Sequence, residues 1–190
     1  LSGNSTAGYH GDGAAIYTVY SGAAITLTNT TVTANANNGA DANGPAVTAV
    51  RASITLTNSI VSGNSITKGT APDVGFGNYS HSGTFIARHS LIGVNSGTPL
   101  APAPVGSPDA NGNLVGTFAS PLDARLGPLA DNGGQTQTHA LLLGSPAINA
   151  GNNSLAVAAN GGPLKNDQRG AGFARIFGGT VDMGSFEFHV

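Results

Sequence analysis

The chain contains no cysteine and no tryptophan, and only 8% of its 190 residues are charged, against a usual share of about a quarter. Without cysteine, neither a disulfide framework nor a cysteine metal site can form. Its seven Lys and Arg residues are scattered and make no basic patch, so the sequence gives no reason to expect nucleic acid as a partner. No apolar run approaches the roughly 18 residues that a transmembrane helix needs, and no signal-peptide pattern opens the chain.

Thr, Ser, Asn and 29 glycines take the place of the missing charge. The hydrophobic content of 39% is ordinary, so the chain is not a disordered polyelectrolyte, and its length allows a core of useful size. Many β-branched residues alternate with turn-forming residues, which favours short strands separated by turns.

One phrase occurs twice: ITLTNTTVTAN begins at Ile25, and ITLTNSIVSGN begins 29 residues later, at Ile54. An aliphatic-x-x-Asn frame in the same register occurs at Leu1/Asn4, Val32/Asn35, Val61/Asn64 and Ile92/Asn95. Upstream of the last three frames, the equivalent positions hold Asn29, Asn58 and His89, and further back Ile25, Ile54 and Phe85. Another apolar stretch begins at Ile16, Val47 and Phe76. The recurrence indicates a structural period.

A period of about 30 residues with short β-like runs and no helical periodicity predicts an all-β fold of the solenoid type. Each period would be one coil, pairing in parallel with the coils above and below it, about 4.8 Å away. Equivalent side chains would then stack on one another. We predict an apolar stack of Ile25, Ile54, Phe85, Val32, Val61 and Ile92. We predict a structural ladder of Asn4, Asn35, Asn64 and Asn95, with Asn29, Asn58 and His89.

The repeat divides the chain into three parts. Residues 1–96 are predicted to form the β-helix coils, and the Pro- and Gly-rich residues 97–113 a loop or insertion. Residues 114–190 are predicted to form a last coil and an irregular capping or anchor-like unit. The frame LADN at 129–132 would place a fifth, longer coil there. The rest, from about residue 133, shows no clear period and contains two β-like pieces, THALLLG and GTVDMGSFEF.

Three ordered blocks at the C-terminal end carry a family resemblance: LGPLADNGGQTQTHALLLGSPAINAG, NDQRG and GGTVDMGSFEF. They resemble the C-terminal region of bacterial surface proteins with right-handed parallel β-helix repeats and a choice-of-anchor Q domain. The resemblance covers roughly residues 120–190 closely and the upstream coils in general pattern. It implies a right-handed parallel β-helix at the surface of a bacterium or outside it, and it supplies no catalytic residues.

Acidic residues decide whether a β-helix of this kind is an enzyme, since polysaccharide cleavage needs paired carboxylates or calcium. Asp12, Asp41 and Asp73 recur about once per coil, but each stands in a Gly-, Asn- or Pro-rich turn where Asp is favoured for local hydrogen bonds. Asp131 in DNGG is interpreted as a turn residue, with a calcium ligand as the alternative. Asp167 is expected to pair with Arg169.

The five histidines, His10, His81, His89, His139 and His189, lack metal-ligand spacing. We therefore predict no catalytic, cofactor-binding or metal residue, with calcium as the one alternative cofactor.

These observations favour a non-catalytic structural protein of the bacterial cell surface or extracellular space. Leu1 falls inside a coil, so an exposed N-terminal coil face would promote self-association, and the strand-like VDMGSFEFHV could cover that face in a head-to-tail filament. One alternative is a module that binds or cleaves a surface glycan, for which Tyr9, Tyr17, Tyr20 and Tyr79 are the tyrosine rings available. The other is a C-terminal sorting or anchoring module of a larger surface protein.

Overall fold

The computed structural model of the protein describes residues 1–7, 13–40, 44–76, 83–158 and 160–189. Within these ranges the chain is all-β, with one 3-10 turn at Asn153–Leu155 and no α-helix. The strands are β1 (Ser5–Thr6), β2 (Ile16–Thr18), β3 (Ala24–Thr28), β4 (Thr31–Val32), β5 (Ala36–Asn37), β6 (Val47–Ala49), β7 (Ser53–Thr57), β8 (Ile60–Val61), β9 (Ser65–Ile66), β10 (Val74–Phe76), β11 (Phe85–Arg88), β12 (Leu91–Ile92), β13 (Leu114–Val115), β14 (Leu126–Ala130) and β15 (Thr138–Leu141).

Four sheets are parallel, and each joins equivalent strands of successive periods. Their strand orders are β1-β5-β9, β2-β6-β10, β3-β7-β11 and β4-β8-β12-β13. We call residues 1–30, 31–59 and 60–90 repeats 1, 2 and 3. Three of these sheets take one strand from each repeat in order, and the fourth runs from repeats 2 and 3 into the strands β12 and β13 that follow them. The predicted period and the all-β class are therefore confirmed.

The longest strands show the register directly. In the β3-β7-β11 sheet, Ile25 aligns with Ile54, and Ile54 aligns with Phe85. Within β3, Ile25 and Leu27 are buried while Thr26 is exposed, which is the period-two alternation of a strand with one covered face. The register predicted from the repeated phrase is therefore the observed one.

A second predicted alignment is displaced by two residues. Val47 of β6 aligns with Ile16 of β2 on one side, as expected, but with Val74 of β10 on the other. Phe76, the predicted partner, aligns with Ala49 instead. The prediction took the larger apolar residue, whereas the fully buried Val74 occupies the inward position.

The first hydrophobic core lies between the parallel sheets. It contains the predicted apolar stack: Ile25, Ile54, Val32, Val61 and Ile92 are buried in it, and Phe85 packs against it. Fully burying one such side chain contributes roughly 1.5–3 kcal/mol. The predicted stack is confirmed as the core of the repeats.

The two-residue strands β4, β8, β12 and β13 have a buried residue on each face. Val32, Val61, Ile92 and Val115 face the first core. Their neighbours Ile60, Leu91 and Leu114 belong to a second core, together with residues from the C-terminal part of the chain such as Met183 and Phe186. One sheet therefore supports two cores, one on each side.

The segment 97–113 lies over the first core at the end next to repeat 3. Ala103 is buried in that core and forms an antiparallel bridge with Val115, and Leu100 packs against the same cluster. Val115 belongs to β13, which pairs in parallel with β12. The predicted loop thus covers one end of the apolar stack.

The part of the chain that follows β13, here called the C-terminal part, departs from the repeat. Leu129 and Ala130 belong to β14, which pairs with β15 in an antiparallel hairpin, so the fifth coil predicted at LADN is wrong. Residues 181–189 form no strand, although GTVDMGSFEF alternates in sequence. Its apolar residues Val181, Met183 and Phe186 are buried inside the protein, and so are its acidic residues Asp182 and Glu187. Burial of both the apolar and the polar side chains therefore overrides the alternating pattern of a strand. No helix in the described ranges is long and apolar enough to span a membrane.

Candidate functional site

Asparagine side chains form a ladder that runs across the repeats. Asn4 Nδ2 donates to Asn35 Oδ1 at 2.9 Å, and Asn35 Nδ2 donates to Asn64 Oδ1 at 2.9 Å. The backbone N–H groups of Asn4 and Asn35 donate to the same two oxygens at 3.1 Å. Each Oδ1 therefore accepts two hydrogen bonds from the repeat before it, which satisfies buried backbone and side-chain groups together.

The ladder ends on a carboxylate. Asn64 Nδ2 donates to Asp73 Oδ1 at 2.8 Å, and the Asn64 backbone N–H donates to the same atom at 3.2 Å. Asn95, the predicted fourth member, donates instead to the carbonyl oxygen of Leu100 at 2.9 Å. The prediction that Asn95 belongs to the ladder is wrong, because Asp73, which precedes Asn95 in the chain, occupies the position that accepts from Asn64.

Asp73 is fully buried, with 1% of its surface exposed. Burial is the main cause that raises the pKa of this carboxyl to about 6, and hydrogen bonds from Asn64 and the backbone of Val94 partly oppose the shift. Of the three aspartates that recur in the repeats, Asp12 and Asp41 lie outside the described residues. Asp73 has a structural role at the end of the ladder.

The second predicted set occupies a sharp corner of each repeat. Asn29, Asn58 and His89 have positive φ angles of 50°, 45° and 45°, a conformation that Asn and His adopt more readily than most residues. Their shared backbone position agrees with the prediction, but their side chains do not bond to one another.

These corner side chains contact the C-terminal part of the chain. Asn58 and the backbone of Asn152 exchange two hydrogen bonds of 2.9 Å, and His89 Nε2 lies 3.3 Å from Asn152 Nδ2. Asn29 Oδ1 accepts from Arg175 Nη2 at 3.2 Å. The ladder role predicted for these three residues is therefore wrong, because the C-terminal part packs beside the corners and takes their polar groups.

A second ladder lies one residue after the corner and was not predicted. The Thr30 N–H donates to Ser59 Oγ at 3.1 Å, the Ser59 N–H donates to Ser90 Oγ at 3.2 Å, and the Ser90 N–H donates to Asn113 Oδ1 at 3.1 Å. Ser59, Ser90 and Asn113 are fully buried. A small hydroxyl residue directly after Asn29, Asn58 and His89 was the available sequence signal.

The predicted Asp167–Arg169 ion pair is present and buried. Arg169 Nη2 lies 2.7 Å from Asp167 Oδ2, and its Nε lies 2.9 Å from the same oxygen. The guanidinium carbon is 3.9 Å from the ring centre of Phe173 and 3.8 Å from that of Phe186. A planar cation held between two rings and a carboxylate fixes the fold of the C-terminal part.

A second buried charge group, around Arg175 and Glu187, was missed by the sequence reasoning. Arg175 Nη1 lies 3.5 Å from Glu187 Oε2, and Arg175 Nη2 donates to the carbonyl oxygens of Asp182 and Gly184. Glu187 accepts from the backbone N–H groups of Phe177 and Asp182. Arg175 and Glu187 are separated by an irregular segment and follow no spacing pattern, so only the structure shows that they pair.

Burial dominates the titration of this group. It raises the pKa of Glu187 to about 7 and raises the pKa of Asp182, while it lowers the pKa of the Arg175 guanidinium. Opposing contributions come from backbone N–H groups that donate to the two carboxylates and from the Coulomb attraction between the carboxylates and Arg175. The carboxylates are therefore bound to groups of the protein itself.

Two concave surfaces accompany these groups. A groove of about 660 Å³ separates the outer side of repeat 1, including Thr26, Thr28 and Asn29, from Gln168 and Arg175. A smaller pocket of about 320 Å³ lies beside Asp73 and is also lined by Phe118 and Asp123. Among the described residues that line either surface, none is a tyrosine or tryptophan.

The remaining predicted site residues are dispersed or lie outside the described ranges. Asp131 accepts from the Gly133 N–H at 3.0 Å, which is the predicted turn. His139 contacts the Gly127 carbonyl oxygen, and His189 stacks on Phe177 with ring centres 4.4 Å apart. The residues outside the described ranges are His10, His81, Tyr9 and Tyr79. In the described part of the chain, no three His, Cys, Asp or Glu residues are grouped to hold a metal ion.

No family model matches the chain, and none of the curated proteins or solved structures compared with it is significantly similar.

Proposed function

We propose that the chain is a non-catalytic structural module of a bacterial protein that acts at the cell surface or outside the cell. In this proposal the three repeats are coils of a right-handed parallel β-helix. The C-terminal part supports the coils from the side and resembles a choice-of-anchor Q unit.

The observation that carries the proposal is the pair of side-chain ladders. Asn4, Asn35 and Asn64 bond in series on one path, and Ser59 and Ser90 on another. Each ladder residue uses its polar side chain to hold the neighbouring repeat. Polar groups consumed in this way stabilise a scaffold and leave little for chemistry on a substrate.

The buried carboxylates support the same conclusion. Asp73, Asp167, Asp182 and Glu187 each accept hydrogen bonds from backbone N–H groups of the protein. A glycosidase or lyase needs carboxylates that reach a substrate or a metal ion. In the described residues these four carboxylates are committed to internal contacts.

A panel of neutral and acidic polysaccharides tests the proposal. The purified chain is incubated with each polymer, and new reducing ends and unsaturated products are measured over a day. We expect no release above a heat-denatured sample. Release that Asp73→Asn or Asp123→Asn abolishes, while the variant stays folded by circular dichroism, would show an enzyme instead.

Binding of a neutral surface glycan is the second candidate function, and the 660 Å³ groove favours it. Thr26 and Thr28 line the groove with hydroxyl groups that form no hydrogen bond to another described residue. Affinity electrophoresis through gels that contain each polymer measures this binding. Glycan binding would be supported over a purely structural role if Thr28→Val reduces the retardation and Thr55→Val, outside the groove, does not.

Assembly is a separate part of the proposal. Self-association through the face of repeat 1 would give filaments only if an opposite face were also free, and Leu100 and Ala103 cover the core at the other end. Negative-stain electron microscopy at several concentrations distinguishes the cases. Discrete particles agree with a scaffold module, and long uniform fibres would establish the filament form.

A C-terminal sorting or anchoring module of a larger surface protein is the remaining alternative, and removal or covalent attachment of the terminus would mark it. Val181, Met183 and Phe186 are buried in the protein, so removal of residues 181–189 would open the second core. A truncation that ends at residue 180 should therefore lose its cooperative unfolding transition. A truncated chain that still folds stably would favour the hypothesis of a sorting or anchoring module.

A further inference from the structure

Repeat 1 has a sheet edge whose backbone groups are not paired within the described residues. Among the strands that the structure describes, β3 pairs with β7 alone, on one side. The Ser53 N–H donates back to the Ala23 carbonyl oxygen of repeat 1, and Ser53 aligns with Ala24. Because backbone groups alternate along a parallel strand, the equivalent N–H groups of Ala24, Thr26 and Thr28 point away from β7. They form an edge that can accept one more parallel strand.

The asparagine ladder has a direction, and its open member lies on the same side. Asn4 Nδ2 uses its hydrogens on Asn35 Oδ1 at 2.9 Å and on the Ser2 carbonyl oxygen at 3.3 Å. Its Oδ1 accepts no hydrogen bond from the described residues. At each lower step, Oδ1 accepts both an amide N–H and a backbone N–H from the preceding repeat. Asn4 therefore presents an unfilled acceptor.

The other end of the ladder cannot fill it. The side chain of Asp73 accepts from Asn64 Nδ2 and carries no amide group, so it offers no amide donor. The segment 97–113 also covers the core at that end. A second copy stacked end to end would bring acceptor against acceptor, and so would two copies joined through their Asn4 faces. Neither arrangement of identical chains satisfies the ladder.

We propose that the edge of repeat 1 binds a further parallel β repeat that presents an asparagine at the ladder position, with its side-chain and backbone N–H groups directed at Asn4 Oδ1. The partner is identified by this donor pair and by a strand that aligns with β3. The inference rests on the proposed scaffold function and adds the chemistry of what the scaffold joins. Leu1 of this repeat is 56% exposed and offers apolar surface beside Thr26 and Thr28.

A repeat added to the chain tests the proposal. A duplicate of residues 1–31 is joined directly to Leu1 of the full chain, which places the duplicated Asn4 at the spacing that separates Asn4 from Asn35. The matched control carries Asn4→Asp in the duplicate only, which preserves shape and removes the amide donor. Hydrogen exchange at the amides of Thr26 and Thr28 is measured in both fusions and in the parent chain.

We expect the asparagine fusion to protect these two amides, and the aspartate control to lose protection by roughly tenfold, the factor of one or two net hydrogen bonds. Equal protection in both fusions would show that the added repeat does not need an asparagine at the ladder position, and would overturn that part of the proposal. Absent protection in both would overturn docking at this edge, provided that the Asn35 and Asn64 amides remain protected. Unprotected Asn35 and Asn64 amides in the parent would instead refute the proposed scaffold. Protection in the parent that rises with its concentration would show that a second copy occupies the edge.

Discussion

The side-chain nitrogen of Asn64 lies 2.8 Å from Oδ1 of Asp73, nine residues further along the same repeat. The asparagine ladder therefore stops inside repeat 3. A carboxylate has acceptors and no donor, so it completes the last amide without requiring another residue beneath it. This contact gives the stack of repeats a beginning and an end that differ chemically.

The middle of the ladder should be its most sensitive point. Asn35 is fully buried, and its Nδ2 contacts Asn64 Oδ1 and the Thr33 carbonyl oxygen. Asn35→Asp places an acceptor against these acceptors, so we expect a loss of roughly 2–4 kcal/mol in the free energy of unfolding. Urea denaturation followed by circular dichroism measures it. Asn38→Asp at an exposed position is the control, and equal losses in the two variants would contradict a ladder role.

Close approach between the repeats and the C-terminal part depends on Gly184. A Cβ atom there would lie 2.6 Å from Thr31 Oγ1 and 2.8 Å from Ile60 Cδ1, whereas one at Gly178 would meet nothing within 4 Å. Both glycines have positive φ, 93° at Gly184 and 70° at Gly178, so both alanine variants carry a backbone cost, the larger one at residue 184. We expect Gly184→Ala to lose about 1–3 kcal/mol more than Gly178→Ala, from overpacking. Thermal or urea unfolding measures the loss of stability in both variants. Similar losses would show that the structure accommodates a Cβ atom at residue 184 without overpacking.

The buried arginine of the ion pair should not tolerate lysine. Arg169 contacts Asp167 through both Nε and Nη2 and lies between two phenylalanine rings. An ammonium group cannot reproduce this planar geometry, so Arg169→Lys should cost about 2–4 kcal/mol. Arg125→Lys at an exposed position should change the free energy of unfolding by less than about 0.5 kcal/mol. If Arg169→Lys were as mild as the control, the pair would contribute little to the fold.

Stability should fall as the pH rises from acid to neutral. Burial raises the pKa of Glu187 from 4.5 to about 7 in the folded protein. Between these values the unfolded chain binds fewer protons than the folded one, so the free energy of unfolding decreases from pH 4.5 to about 7 and then levels off. Urea midpoints across this range measure the slope.

The variant Glu187→Gln removes this titrating proton and should flatten the curve. Asp73, with a pKa of about 6, titrates in an overlapping range, so some slope should remain in the single variant. The double variant with Asp73→Asn should flatten the curve further and leave Asp182, whose pKa burial also raises, to titrate. A single variant whose curve is as steep as that of the parent would show that Glu187 is not the group responsible.

Much of the repeat region follows from its sequence, because a repeated strand carries its own register. The phrase at Ile25 and Ile54 predicted the alignment of β3 with β7, and hydrophobicity at Val32, Val61 and Ile92 predicted the core. The choice between Val74 and Phe76 failed because either residue begins a plausible apolar run. Only three-dimensional packing decides which one faces inward.

The C-terminal part could be predicted only locally. Asp167 and Arg169 are two residues apart, so their pairing was visible in the sequence. Arg175 and Asn29 meet across 146 residues, and nothing in the period places one near the other. The same long-range contacts explain why the prediction that Asn29, Asn58 and His89 form part of a ladder was wrong. Their equivalent backbone positions were correct, but their partners came from outside the repeat.

The corner contacts have a consequence for how such chains vary in length. Asn29, Asn58 and His89 stand in repeats 1, 2 and 3, and the C-terminal part bonds to all three through Arg175 and Asn152. Inserting one whole repeat within residues 31–90, or deleting repeat 2, would preserve the ladder but move a corner away from its partner. The number of repeats covered by the C-terminal part is therefore fixed at three, while growth by whole repeats is compatible with these contacts only on the side of Asn4.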